Sequence, residues 1–170
     1  MPGPLDELSS QHRQAEFLLL DLRHASNHLE TDTLGSPNPW TTVSPMCQAL
    51  QSELASHFLQ EEDGLFPVLG RHIGQDDGPL ALLCEHHRSL RSLAAELCQT
   101  ASTEATGLGR ATRFCSTLDQ FTSLLHQHIE VEDTVLLPMA TELLNQAEMD
   151  EIADACRHLG SADPGGADRN

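Results

Sequence analysis

The chain has 170 residues and a formal net charge of −17 at pH 7. Its length fits one domain, because domains most often have about 100–150 residues. The charge repels phosphate backbones and anionic lipid, which argues against nucleic-acid and membrane-surface partners. The last residues, GSADPGGADRN, have the composition of a disordered segment. The sequence therefore predicts one domain over residues 1–160 and a disordered tail over 161–170.

The N-terminus and the cysteines indicate a cellular compartment. MPGPLDELSS has neither a positive nor an apolar targeting region, and no window approaches the roughly 20 apolar residues of a membrane span. We therefore expect a cytoplasmic protein. The five cysteines are never spaced as CxxC and lie mostly among apolar neighbours, which predicts reduced, buried thiols.

Apolar residues recur at steps of three and four, and no alternating strand pattern persists, which predicts an all-α fold. We expect an up-down-up-down four-helix bundle with a short C-terminal helix. The predicted helices are about 5–30, 45–65, 79–103 and 110–137, followed by about 147–159. Ser44 and Pro45 are typical of an N-cap and a first-turn proline, and Pro67 is expected to end the second helix.

One motif occurs twice. HFLQEEDGLFP at 57–67 and HIEVEDTVLLP at 128–138 align with a shift of 71 residues, so His57 and Glu61 correspond to His128 and Glu132. Residues at i and i+4 lie on one helix face, so each motif directs an imidazole and a carboxylate to one point. The repeat indicates two related helical hairpins packed together.

The repeated pairs lie on faces that should be buried. His128 and Glu132 share a face with Leu118, Leu125 and Val135. The same argument places His57 and Glu61 inward with leucines 50, 54 and 65. A further pair with this spacing, at positions 126 and 130, lies on a face with solvated character.

Two more histidines point inward in the other two helices. His12 continues a leucine stripe of the first helix, and His86 in EHHR continues a stripe that includes Leu82, Leu83 and Leu90. In an antiparallel bundle, the inward histidines of all four helices fall at one level. Burying these groups without a partner would cost several kcal/mol each, so the convergence predicts a metal site. The six predicted ligands are His12, His57, Glu61, His86, His128 and Glu132.

The donor types narrow the choice of metal. Imidazole and carboxylate without thiolate suit iron, manganese or zinc, but six ligands exceed the four of a closed zinc site. Two metals fit better, since Glu61 and Glu132 each have two oxygens and can bridge both ions.

The sequence resembles the hemerythrin-like family with its HHE cation-binding motifs. The resemblance covers about residues 5–140 and rests on QHR, HFLQEEDGLFP, EHHRSL and HIEVEDTVLLP. It implies a four-helix bundle with two iron ions and a shared oxo group, held by the six predicted ligands.

One departure from the family bears on function. Oxygen-carrying hemerythrins have a further histidine four residues from the third-helix ligand, whereas Leu82 and Leu90 flank His86 here. Coordination positions therefore stay open unless other side chains fill them, the candidates being His87, Glu16, His24 and His28. The resemblance implies binding or sensing of oxygen, nitric oxide or peroxide. A peroxidase or oxidase, an iron-cluster repair protein and an iron store remain alternatives, and an oligomer stays open.

Overall fold

The computed structural model describes residues 3–29, 38–103 and 108–160, apart from the side chains of residues 108 and 160. Within these residues the chain forms helices and no strands. The elements are α1 (Pro4–Ser26), α2 (Trp40–Gln60), a first π segment (Glu61–Leu65), α3 (Phe66–Ile73), α4 (Gly78–Ser102), α5 (Leu108–Val131), a second π segment (Glu132–Leu136), α6 (Leu137–Leu143) and α7 (Gln146–Gly160). The predicted tail, 161–170, lies outside the described residues.

The four long helices form the predicted up-down-up-down bundle. Helix α1 packs on α2, α2 on α4, α4 on α5 and α5 on α1, so neighbours in the chain are neighbours in the bundle. The short C-terminal helix is also confirmed as α7. No helix of the described residues is long and apolar enough to cross a membrane.

The second and fourth helices do not end where their prolines predicted. After Gln60 the chain continues through the first π segment into α3, and the Phe66 amide donates to the Glu61 carbonyl, five residues back. Pro67 is the second residue after this widened turn, as Pro138 is after the second π segment. In a regular α-helix the proline ring would clash with the carbonyl four residues back, and a π turn displaces that carbonyl. The proline therefore continues the helix instead of ending it.

The start of α2 also differs from the prediction. The helix begins at Trp40, and Pro45 lies inside it rather than in its first turn. The side chain of Asn38 accepts a hydrogen bond from the Trp40 amide at 3.1 Å. The Thr42 amide donates to the Pro39 carbonyl, so the Asn38–Pro39 step initiates the helix in place of Ser44 and Pro45.

Two apolar clusters fill the bundle. The larger one contains Phe58, Phe114 and Phe121 and joins the four long helices. The smaller one contains Leu8, Leu83 and the leucines Leu65 and Leu136 of the two π segments. Along α1 and α4 the inward-facing histidines lie between the two clusters, and along α2 and α5 they lie at the end of the larger cluster that precedes the π segment.

Helix α7 covers the first π segment. Gly64 is buried there, and a β-carbon at this position would lie 3.3 Å from the Cys156 sulfur of α7. The absence of a side chain at Gly64 therefore lets α7 approach closely. Glu151 accepts a hydrogen bond from Arg71 of α3 at 2.7 Å, which fixes the other side of α7.

The cysteine prediction holds in part. Cys47 is buried, and burial raises the pKa of its thiol to about 12. Cys84, Cys98 and Cys156 are half-buried, and burial raises the pKa of each thiol. These four thiols are therefore protonated near neutral pH.

Candidate metal centre

Six ligand-type side chains meet inside the bundle, each at most 3 % exposed. Each long helix contributes a histidine, and each π segment begins with a glutamate. The six residues are His12, His57, Glu61, His87, His128 and Glu132.

The first half of this cluster contains His12 of α1 and His57 of α2. Their Nε2 atoms are 3.1 Å apart. The Oε2 atom of Glu132 lies 2.7 Å from the His12 Nε2 atom, and the Oε1 atom of Glu61 lies 3.3 Å from the His57 Nε2 atom. The donor atoms of His12, His57, His128 and Glu132 thus lie within 4.8 Å of one another, and Glu61 contacts this group at His57.

The second half contains His87 of α4 and His128 of α5. The Oε2 atom of Glu61 lies 3.1 Å from the His87 Nε2 atom, and the Oε1 atom of Glu132 lies 3.6 Å from the His128 Nε2 atom. Each carboxylate thus presents one oxygen to each histidine pair, which is the arrangement of a bridging ligand.

These separations fit metal coordination. Two ligand atoms at about 2.1 Å from one ion and at right angles to each other lie about 3.0 Å apart. All four oxygens of Glu61 and Glu132 and the Nε2 atoms of His87 and His128 are buried without a hydrogen-bond partner among the described residues. Such groups are rarely left unsatisfied in a folded protein, so a bound cation is the natural partner.

The charges of the site also fit a cation. Burial raises the pKa of Glu61 well above its usual value, and Glu132 raises it further. Burial also acts to raise the pKa of Glu132, but His12 and His128 outweigh it and lower this pKa to about 2. Burial lowers the pKa of His57 to about 3 and of His128 to about 4. Neutral imidazoles of this kind are ready to donate to a metal.

The structure brings together five of the six predicted ligands, with His87 in the place predicted for His86. His86 is 9 % exposed and belongs to neither group of clustered donors. The buried face of α4 runs through Leu83, His87, Leu90 and Ala94, whereas Leu82, which supported the prediction of His86, is 44 % exposed. The heptad spacing of these buried residues was the sequence signal for His87.

The other candidates lie away from the centre. Glu16 and His24 on α1 and His28 in the turn after it are exposed, so they do not close a coordination position. His126 and Glu130 are exposed on α5, as their solvated face predicted. Val135, predicted to be buried, is 42 % exposed, because the second π segment changes the helical phase before it is reached.

The family of the chain is decided by comparison with known protein families. A family model described as the hemerythrin HHE cation-binding domain matches residues 3–140. The chain belongs to this family. No curated protein sequence matches the chain closely enough to count as a relative. A hemerythrin-like domain with a buried histidine and glutamate cluster is therefore a metal-binding domain, and the match spans α1 through the first residues of α6.

Proposed function

We propose that the centre holds two metal ions, natively iron, and that the protein binds or senses oxygen or a related small molecule such as nitric oxide or peroxide. His12 and His57 hold one ion, and His87 and His128 hold the other. Glu61 and Glu132 bridge the two. The observation that carries this proposal is that each buried carboxylate presents its two oxygens to different histidine pairs.

The donor set supports iron over zinc. Six buried ligands of nitrogen and oxygen exceed a closed zinc site, and no cysteine belongs to either group of donors in the described residues. Each ion receives two imidazole nitrogens and two carboxylate oxygens, which leaves about two positions of an octahedron for a shared group or a ligand. Bound iron would supply the reversible coordination or reduction of the small molecule.

The residues around the centre favour small neutral ligands. Leu83 and Leu90 are fully buried one turn from His87, and the ring of Phe58 stacks on His87 with centroids 4.0 Å apart. Phe58 and Leu90 also line a groove of about 350 Å³ between α2 and α4. These apolar side chains exclude water and hydrated ions more strongly than a small uncharged molecule.

Metal analysis of protein purified in air, together with its absorption spectrum, tests the proposal. We expect two irons per chain, a charge-transfer band, and a change of the band on adding azide or nitric oxide without catalytic turnover. The control is the Glu61→Ala variant, which should lack the irons and the band. Steady catalytic loss of peroxide would replace this proposal with a peroxidase, and two irons with no ligand response would replace it with iron storage.

A further inference from the structure

An acidic residue follows each of the two bridging glutamates. Glu62 follows Glu61, and Asp133 follows Glu132, so the two acids are also related by the shift of 71 residues. The Nδ1–H group of His87 donates to Oε1 of Glu62 at 2.7 Å. The Nδ1–H group of His12 donates to Oδ1 of Asp133 at 3.1 Å.

These contacts join the two halves of the bundle, α1 to α3 and α4 to α6, each of which carries one repeated motif. Glu62 belongs to the first half, and its histidine lies on α4 of the second half. Asp133 belongs to the second half, and its histidine lies on α1 of the first. Each repeated motif therefore carries an imidazole, a bridging carboxylate and a second carboxylate. The second carboxylate contacts a histidine of the other half, His87 or His12.

We propose that Glu62 and Asp133 are positioning residues that fix the Nδ1–H tautomer of His87 and His12 and thereby aim one Nε2 lone pair at each metal ion. The inference rests on the two-ion centre of the proposed function. A carboxylate that accepts the outer N–H of a ligating histidine sets its ring orientation and raises its basicity. One such carboxylate serves each ion, because His12 and His87 belong to different histidine pairs.

The two acids are held differently. Arg91 donates from Nη1 and Nη2 to the two oxygens of Glu62, at 2.8 and 2.9 Å, which locks that carboxylate in place. Asp133 is 41 % exposed, so water reaches its carboxylate. Arg91 therefore reaches the site through its contact with Glu62.

The test is a chelator-competition titration of the full chain with Co²⁺ as the probe. Glu62→Ala and Asp133→Ala should each weaken the binding of one of two ions by about 10- to 100-fold, with the other ion little affected. The matched controls are Asp63→Ala and Glu130→Ala, which remove the same charge from exposed neighbouring positions. Screening by salt keeps their effect small, below about threefold at physiological ionic strength.

A second measurement reports the tautomers directly. Nitrogen-15 spectra of the metal-free histidine rings should show the proton of His87 on Nδ1. In Glu62→Ala the proton of His87 should shift toward Nε2, whereas Glu62→Gln, which keeps an oxygen acceptor, should restore the Nδ1–H form. A purely structural role of Glu62 would not move this equilibrium.

A double-mutant cycle tests the contact between Arg91 and Glu62. Arg91→Met should weaken the same ion as Glu62→Ala, and the double variant should be no weaker than Glu62→Ala alone. Additive losses would show that Arg91 acts independently of Glu62 and overturn that part of the inference.

The outcomes separate this inference from the proposed function. Two bound ions, with Glu62→Ala and Asp133→Ala indistinguishable from their controls, would overturn the positioning role and leave the centre intact. A wild-type chain that binds fewer than two ions would overturn the proposed function, and the ring spectra would still decide whether the acids hold the tautomers.

Discussion

The Nε2 atom of His87 lies 3.1 Å from the Oε2 atom of Glu61, and both side chains are fully buried. Neither of these atoms has a hydrogen-bond partner among the described residues. The Nδ1 atom of His87 is occupied by Glu62, so only Nε2 is available to a metal ion. This geometry makes His87, and not His86, the residue of α4 that could hold a metal ion.

Substitution of the two neighbouring histidines of α4 should therefore have different effects. We expect His87→Ala to lose one of two bound ions, because it removes an imidazole from the centre. His86→Ala should retain both ions, since His86 belongs to neither group of clustered donors. Metal analysis of the two purified variants checks this. Equal metal loss would mean that α4 turns when metal binds.

The sequence predicted the helices and most of the centre because both depend on periodicity. The motif repeated at 71 residues located His57, Glu61, His128 and Glu132 without knowledge of the fold. The third helix was harder, since two adjacent histidines differ by only about 100° and leucines occur on both faces. Only packing decides between such faces, and in the structure Leu82 faces solvent while Leu83 is buried.

Glu61→Gln should change the free energy of unfolding in opposite directions in the metal-free and the metal-loaded protein. Burial raises the pKa of Glu61, so at pH 7.5 the metal-free protein must either protonate this carboxyl or bury its charge. The neutral amide removes that cost, and we expect the metal-free variant to gain on the order of 1–3 kcal/mol in unfolding free energy. The metal-loaded protein should instead lose its ions and their stabilisation.

Urea unfolding with and without a chelator measures both effects of Glu61→Gln. The matched control is Glu130→Gln on the exposed face of α5, which should change neither quantity. A metal-free Glu61→Gln variant less stable than wild type would show that the carboxylate is satisfied inside the metal-free bundle.

The largest errors of prediction concern the helix ends expected at the two prolines. Pro67 and Pro138 each come shortly after five residues that the structure folds as a π turn, which starts at Glu61 or Glu132. A π turn has no residue preference strong enough to read locally, and here it displaces the carbonyl that the proline ring would otherwise meet. Sequence periodicity assumes 3.6 residues per turn and fails at such a point.

The metal-free protein should lose stability as the pH falls from 6.5 to 4.5. Burial lowers the pKa of His57, His87 and His128, so on acidification these imidazoles take up protons at a higher pH in the unfolded chain than in the folded protein. The stabilisation that depends on the neutral imidazoles is present above pH 6.5 and is lost as the pH falls. Glu61 and His12, whose pKa values are both raised, have the opposite sign in this window. Three groups against two leave a net loss, with about 1.4 kcal/mol per pH unit as the scale for one group.

Urea midpoints of the metal-free chain at pH 6.5, 5.5 and 4.5 check this slope. Replacement of His128 by leucine should flatten it, because one of the three titrating imidazoles is removed. A midpoint that rises on acidification would mean that the carboxyl groups, and not the imidazoles, control the stability of the empty centre.

Supplying a third imidazole to the His87 ion should close an open position. Oxygen-carrying hemerythrins have a further histidine four residues from the third-helix ligand, and at that spacing from His87 the chain has Leu83 and Arg91. Leu83 is the better position, because it is fully buried and Arg91 is needed to hold Glu62. We expect Leu83→His to keep two irons and to bind azide and nitric oxide more weakly than wild type. Leu97→His is the control: it makes the same change at a buried position of α4, about 15 Å from His87, where the imidazole cannot reach the metal.

Both variants bury a polar ring and should destabilise the metal-free protein, but only Leu83→His should recover stability on loading, since only its ring gains a metal partner. Unchanged azide binding in Leu83→His would place the open position on the ion held by His12 and His57.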